Sequence, residues 1–164
     1  MSSKQFDNSN KEFKLLNPDK LKIACVVSEW HNEITEKLFM GAKNILIKNG
    51  VQEKNISKIN VPGSFELIFA CKSLINKNID AVIAIGCIIQ GETRHFEFVS
   101  NAVVSGIKDL NVISDIPVIL CVSTDDKISQ SIDRSGGKYN KGEDSAMAAL
   151  KMITFNQWKL ASLS

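Results

Sequence analysis

The sequence holds no apolar run near the roughly 18 residues that a membrane-spanning helix needs, so no membrane crossing is expected. Its first residues, MSSKQFDNSNKEFK, lack the apolar centre of a secretion signal, and we expect a cytoplasmic protein. Histidine is scarce, at two residues, and no two of the four cysteines (Cys25, Cys71, Cys87, Cys121) stand close enough to read as CxxC. Zinc and iron–sulfur chemistry therefore have no support. Three of the cysteines fall in apolar, strand-like runs, where a thiol behaves as a small hydrophobe. Charge of one sign is also lacking: 20 Lys+Arg against 18 Asp+Glu leave a formal +2. That balance argues against a nucleic-acid-coating protein or a polybasic membrane binder. Neither GxxxxGK[ST] nor GxGxxG occurs, so nucleoside triphosphates and dinucleotides have no motif to hold them.

What is present is enough for one domain. The chain has 164 residues, 44% of them hydrophobic, which suffices to offset the entropy of ordering a core. Residues 1–20 are polar and read as a flexible tail or an arm that docks on a neighbour; residues 21–164 read as a single domain. LKIACVVS (21–28), ISKINV (56–61), DAVIAIGCII (80–89) and IPVILCVS (116–123) are short apolar runs bounded by polar residues, hence strands. Between them the apolar period lengthens to that of a helix. Ile34, Leu38, Ala42, Ile45 and Leu46 mark one helix over 32–49, stopped by Gly50. Residues 65–77 predict a second, and Phe96, Val99, Val103 and Ile107 mark a third over 93–111. KISQSIDRS and GEDSAMAALKMITFNQWKL predict two more, split by GGKYNKG. Alternating strands and helices demand parallel strands joined by right-handed crossovers. The expected fold is an α/β three-layer sandwich: a four-stranded parallel sheet with helices on both faces, flavodoxin-like in order. Ligands of such sheets bind beyond the carboxyl ends of the strands.

Those ends carry residues with two readings each. Trp30, after the first strand, is either a core or interface aromatic or a flat face for stacking a heterocycle. Gly63-Ser64-Phe65-Glu66 opens a helix; Ser64 and Glu66 serve either as cap and acidic first turn, or, with the free amides, as a polar ligand cradle. Gly91-Glu92-Thr93 opens another helix, whose amino end attracts phosphate. His95 in its first turn is either structural or a proton-transfer group. Arg134 and Lys141 flank a glycine-rich turn, as helix-terminal cations or as phosphate ligands. Asp125-Asp126 suggests Mg²⁺ or a phospho-acceptor, but the acidic residues such a receiver needs at the other strand ends are replaced by SEW and CII.

Singly these signals are weak, but their order is specific. Trp30, then VPGSFE, GCIIQGETRHFEFV, PVILCVST and SIDRSGGKYNKG, spanning residues 22–158, resembles the lumazine synthase family. The resemblance implies condensation of 5-amino-6-(D-ribitylamino)uracil with 3,4-dihydroxy-2-butanone 4-phosphate to 6,7-dimethyl-8-ribityllumazine, phosphate and water, the penultimate step of riboflavin biosynthesis. It implies a transferase without cofactor. It also implies self-association as a homopentamer with sites between neighbours, and in some members an icosahedral shell of pentamers.

By motif, the resemblance puts Trp30 on the pyrimidine and Ser64, Phe65 and Glu66 on the uracil and ribityl chain, with Glu66 on ribityl hydroxyls. Cys87, Ile88 and Ile89 match the strand end that reads the pyrimidine edge. Glu92, Thr93, Arg134 and Lys141 match the residues around the butanone phosphate, and His95 the proton-transfer histidine. Three departures stand out. Gln90 replaces a common arginine, Leu120 replaces a phenylalanine that a neighbour contributes to the aromatic wall, and the stretch from Arg134 to Asn140 is one residue short. A passive flavin- or lumazine-binding protein would need neither His95 nor Arg134, and a shell without an active site would show no activity; these are the rival readings.

Overall fold

The computed structural model describes residues 14–163, without the side chain at the last of these. Within them four strands, β1 (Ile23–Ser28), β2 (Ile56–Val61), β3 (Ala81–Ile89) and β4 (Val118–Asp125), form one sheet in the order β2-β1-β3-β4. Every pairing is parallel. The helices are α1 (Asn32–Lys48), α2 (Leu67–Leu74), α3 (His95–Ile113), α4 (Ile128–Arg134) and α5 (Lys141–Leu163). The architecture is the expected three-layer, flavodoxin-like sandwich.

Alternation along the strands divides the core between two layers, because successive side chains of a strand point to opposite faces. Ile23, Cys25 and Val27 of β1, and Ile83, Ile85 and Cys87 of β3, pack with Leu38, Ala42 and Leu46 of α1 and with Ala149, Leu150 and Ile153 of α5. Val26, Val82 and Ala84 face the other way, onto Leu67 and Cys71 of α2 and Val103, Ile107 and Leu110 of α3. Strands covered on both faces read as near-continuous apolar runs, as β1 up to its last residue, Ser28, and β3 do. β2 is an edge strand, and its polar residues Ser57, Lys58 and Asn60 are exposed.

Boundaries moved where backbone bonding and burial differ from what composition suggests. The second helix begins at Leu67, not at residue 65, because residues 64–66 form a turn that the Leu67 N–H closes onto the Ser64 carbonyl at 3.3 Å. The third begins at His95 and runs to Ile113. The last strand is displaced by two residues: it starts after Pro117 and continues through Ser123, Thr124 and Asp125, which pair with Cys87, Ile88 and Ile89. Asp125 thus belongs to the sheet rather than to the loop beyond it. Of the stretch read as an arm, residues 1–13 lie outside the described residues. Leu15 packs on the core and Leu16 exchanges two 3.0 Å hydrogen bonds with Gln157 of the chain's own α5.

All four cysteines are free and buried. Burial pushes the thiols up, to about 12 for Cys25 and Cys71 and about 11 for Cys121. These thiols keep their protons in the folded state at pH values where the unfolded chain has lost them, from about 9 upward. Stability due to them is therefore complete below that pH and declines as pH rises toward 11–12. Native protein at pH 8 is expected to resist iodoacetamide, with rapid labelling of every thiol in urea. Prompt labelling of Cys25 or Cys121 without denaturant would contradict this packing.

Candidate functional site

The chain leaves β1 toward one edge of the sheet to form β2, and then returns to form β3 on the other side of β1. Loops that diverge in this way open a crevice at the strands' carboxyl ends. A cavity of about 770 Å³ lies there, within the range of small-molecule sites. Each loop contributes to it for a local reason. The ends of β1 and β2 are held together by Glu29 N–H on the Val61 carbonyl (2.8 Å) and Trp30 N–H on the Pro62 carbonyl (3.3 Å). His31 then takes a left-handed conformation, φ 57°, to start α1. This places Trp30 on the rim, 70% exposed, with the His31 ring edge-on to it at 6.4 Å. So large an exposed aromatic is not a core residue in the single chain.

The floor comes from β3. Gly86 lets the start of α2 settle on the strand: a Cβ there would lie 2.7 Å from Ser64 Oγ and 3.0 Å from Leu67 Cδ1. Ser64, only 6% exposed, is thereby held within 3.5 Å of the Cys87 carbonyl. The Glu66 carboxylate folds back over Gly63, where a Cβ would meet it at 2.9 Å. Across the cavity, Thr93 and His95 stand at the amino end of α3, with the His95 N–H on Thr93 Oγ1 at 3.3 Å. A 19-residue helix presents its positive end at this point.

Of the residues expected from sequence, Trp30, Ser64, Phe65, Glu66, Cys87, Ile88, Ile89, Thr93 and His95 all line this one cavity. Glu92, in the turn before α3, is exposed and does not line it, nor do Leu120, Arg134 and Lys141. Leu120 is half-buried and packs on the layer under α2 and α3. Arg134 pairs with Asp125 at 2.7 Å. The Lys141 ammonium donates to the Val122 carbonyl at 3.2 Å. Gln90 turns back on its own loop, donating to the Gly91 carbonyl at 2.7 Å. Sequence reasoning missed His31, Phe98 and Ala102 in the wall. The last two were legible: His95, Phe98 and Ala102 recur at helical spacing and mark a second stripe beside the core-facing one. Among the described residues, no group of three or more His, Cys, Asp or Glu could hold a metal ion, and no helix is long and apolar enough to cross a membrane.

A three-layer parallel sheet with a largely apolar crevice at its switch point, an aromatic rim, and a helix amino end beside an imidazole defines a small-molecule site of the doubly wound class. Comparison with known sequences narrows that class. The family model described as 6,7-dimethyl-8-ribityllumazine synthase matches residues 20–157. Curated proteins of that name resemble the chain over most of its length. The one from Christiangramia forsetii is 56% identical over 139 residues, 83% of each chain. That of Flavobacterium johnsoniae is 54% identical, covering 86% of this chain and 75% of its own. That of Cytophaga hutchinsonii is 46% identical over 93% of this chain and 98% of its own. The chain belongs to the 6,7-dimethyl-8-ribityllumazine synthase family.

Proposed function

We propose that the protein condenses 5-amino-6-(D-ribitylamino)uracil with 3,4-dihydroxy-2-butanone 4-phosphate to give 6,7-dimethyl-8-ribityllumazine. Family membership supports the reaction. The observation that carries it is the placement of Trp30, Glu66, Thr93 and His95 around one cavity. The aromatic rim suits a pyrimidine, the carboxylate suits ribityl hydroxyls, and the α3 amino end suits a phosphate.

The chemistry asks for little more. The uracil's amine attacks the ketone, and loss of water gives an imine. Removal of the proton next to the imine expels phosphate. Attack of the ribitylamino nitrogen on the carbonyl thus exposed, with loss of a second water, closes the ring. Every step moves a proton. His95, beside the α3 amino end, is placed to take one from carbon and return it to the departing phosphate or water. Holding the two substrates together supplies much of the remaining acceleration.

The site is completed between neighbours of a homopentamer. Three observations support this. Leu120, Arg134 and Lys141 lie outside the cavity of their own chain. The cavity stands open. Large apolar side chains such as Phe69 on α2 and Phe98, Val112 and Ile113 on α3 are 69–77% exposed. Four unpaired, buried thiols support a cytoplasmic location.

The test separates an enzyme from a passive binder of the same ligands. With butanone phosphate alone, phosphate release should stay at the background rate; adding ribitylaminouracil should raise it many-fold. Binding of ribitylaminouracil or lumazine with no dependence of phosphate release on the pair would show a binding protein.

A further inference from the structure

The polar group around Asp125 is the least expected feature of the core. Asp125 is the last residue of β4, and its carbonyl accepts from the Gln90 N–H at 2.9 Å, so its backbone is fixed. Its carboxylate side chain is only 4% exposed. Oδ2 accepts from the hydroxyls of Ser123 and, at 2.6 Å, Ser131. Oδ1 takes the Arg134 Nη1 at 2.7 Å. A buried carboxylate is costly unless its lone pairs are occupied and its charge is met. Here both conditions hold, and two hydroxyls from different elements stop the carboxylate from turning.

The same contacts fix Arg134. Its Nη1 also donates to the Gln130 carbonyl one helical turn back, at 3.3 Å. Both interactions use the same nitrogen. Nη2 and Nε make no hydrogen bond with the described residues, and the side chain is 37% exposed. What remains is the pair of adjacent donors that a phosphate accepts in bidentate fashion. A flexible arginine would have to give up its side-chain freedom when phosphate arrives; this one has given it up already.

We propose that Asp125, held by Ser123 and Ser131, is a positioning residue for the substrate phosphate, acting through Arg134. The inference rests on the reading of Arg134 as a phosphate ligand. It assigns a sign that charge alone would not. A carboxylate near a phosphate site is repulsive. If long-range charge dominated, removing Asp125 would tighten phosphate binding. If placement of the guanidinium dominates, removing it weakens binding.

The experiment uses the full assembled protein and inorganic phosphate as a competitive inhibitor, alongside KM for each substrate. Asp125→Asn should raise the phosphate Ki and the butanone phosphate KM about fivefold, and leave the ribitylaminouracil KM within about twofold. Ser131→Ala should move the same two constants in the same direction by less, and it serves as the test if Asp125→Asn does not fold. Asp125→Asn combined with Arg134→Ala should be no worse toward phosphate than Arg134→Ala alone. An unchanged or lower phosphate Ki in Asp125→Asn, with a raised one in Arg134→Ala, would overturn the positioning role and leave Arg134 as a ligand. An unchanged Ki in Arg134→Ala would remove Arg134 from the site, and the proposal with it.

Discussion

Replacing His95 with alanine is expected to lower kcat by about 10²-fold, and by no more than about 10⁴-fold, while both KM values stay within a few-fold. The imidazole stands at the first position of α3 and faces the cavity from the wall that carries Thr93. It can move protons there, but no structural feature makes it a ligand-gripping group. Acid–base catalysis accounts for factors of that size, and the pairing of two reactants in one crevice survives the substitution. Steady-state rates with both substrates at saturation read the effect directly. A loss beyond about 10⁴ would assign His95 a role other than proton transfer. An unchanged kcat would take it out of the chemistry.

The second large effect is on stability. Gly142, the second residue of α5, lies where that helix crosses α1: a Cβ there would sit 1.8 Å from the Leu38 carbonyl oxygen and 2.7 Å from its carbon. Backbone cannot move aside as a side-chain tip can, so Gly142→Ala must push the two helices apart. Overpacking of this kind costs about 3 kcal/mol, which for a chain of this size lowers Tm by roughly 6–12 °C. Gly91→Ala is the control, since nothing lies within 4 Å of a Cβ at that position. Thermal unfolding of the two variants beside wild type checks the contrast. Equal Tm values would mean that α1 and α5 do not meet as described.

Gly142 also shows where sequence reading stops. SIDRSGGKYNKG read as a basic, glycine-rich turn and pointed toward phosphate. Much of the turn serves packing. Asn140 donates to the Lys37 carbonyl at 2.9 Å and accepts from the Gly142 N–H at 2.8 Å, and Gly41 on α1 leaves room for it. Lys37 lies 103 residues from Asn140 in sequence, and no local pattern announces that contact. By contrast, the strands and the core-facing stripe of α1 were legible because burial on a regular element imposes a period on the sequence itself. The cavity was legible through a topological rule: parallel strands put their loops at one end, and Trp30, Ser64, Glu66 and His95 had only to be placed on those loops. Asp125 defeated the reading for a physical reason. A charged residue looks like loop until its partners, Ser131 and Arg134 of α4, are seen to fold back over it. Phe98, an exposed wall residue, was legible on a second stripe of α3 with His95 and Ala102, which a reading of the core-facing stripe alone leaves uncounted.

The central claim is that this cavity joins two substrates and expels phosphate from one of them. The most direct measurement follows 6,7-dimethyl-8-ribityllumazine and inorganic phosphate together, from the two substrates, with wild-type protein against the spontaneous reaction. The account predicts equal amounts of both products, formed far faster than without protein. Folded protein that binds ribitylaminouracil but leaves the spontaneous rate unchanged would contradict it.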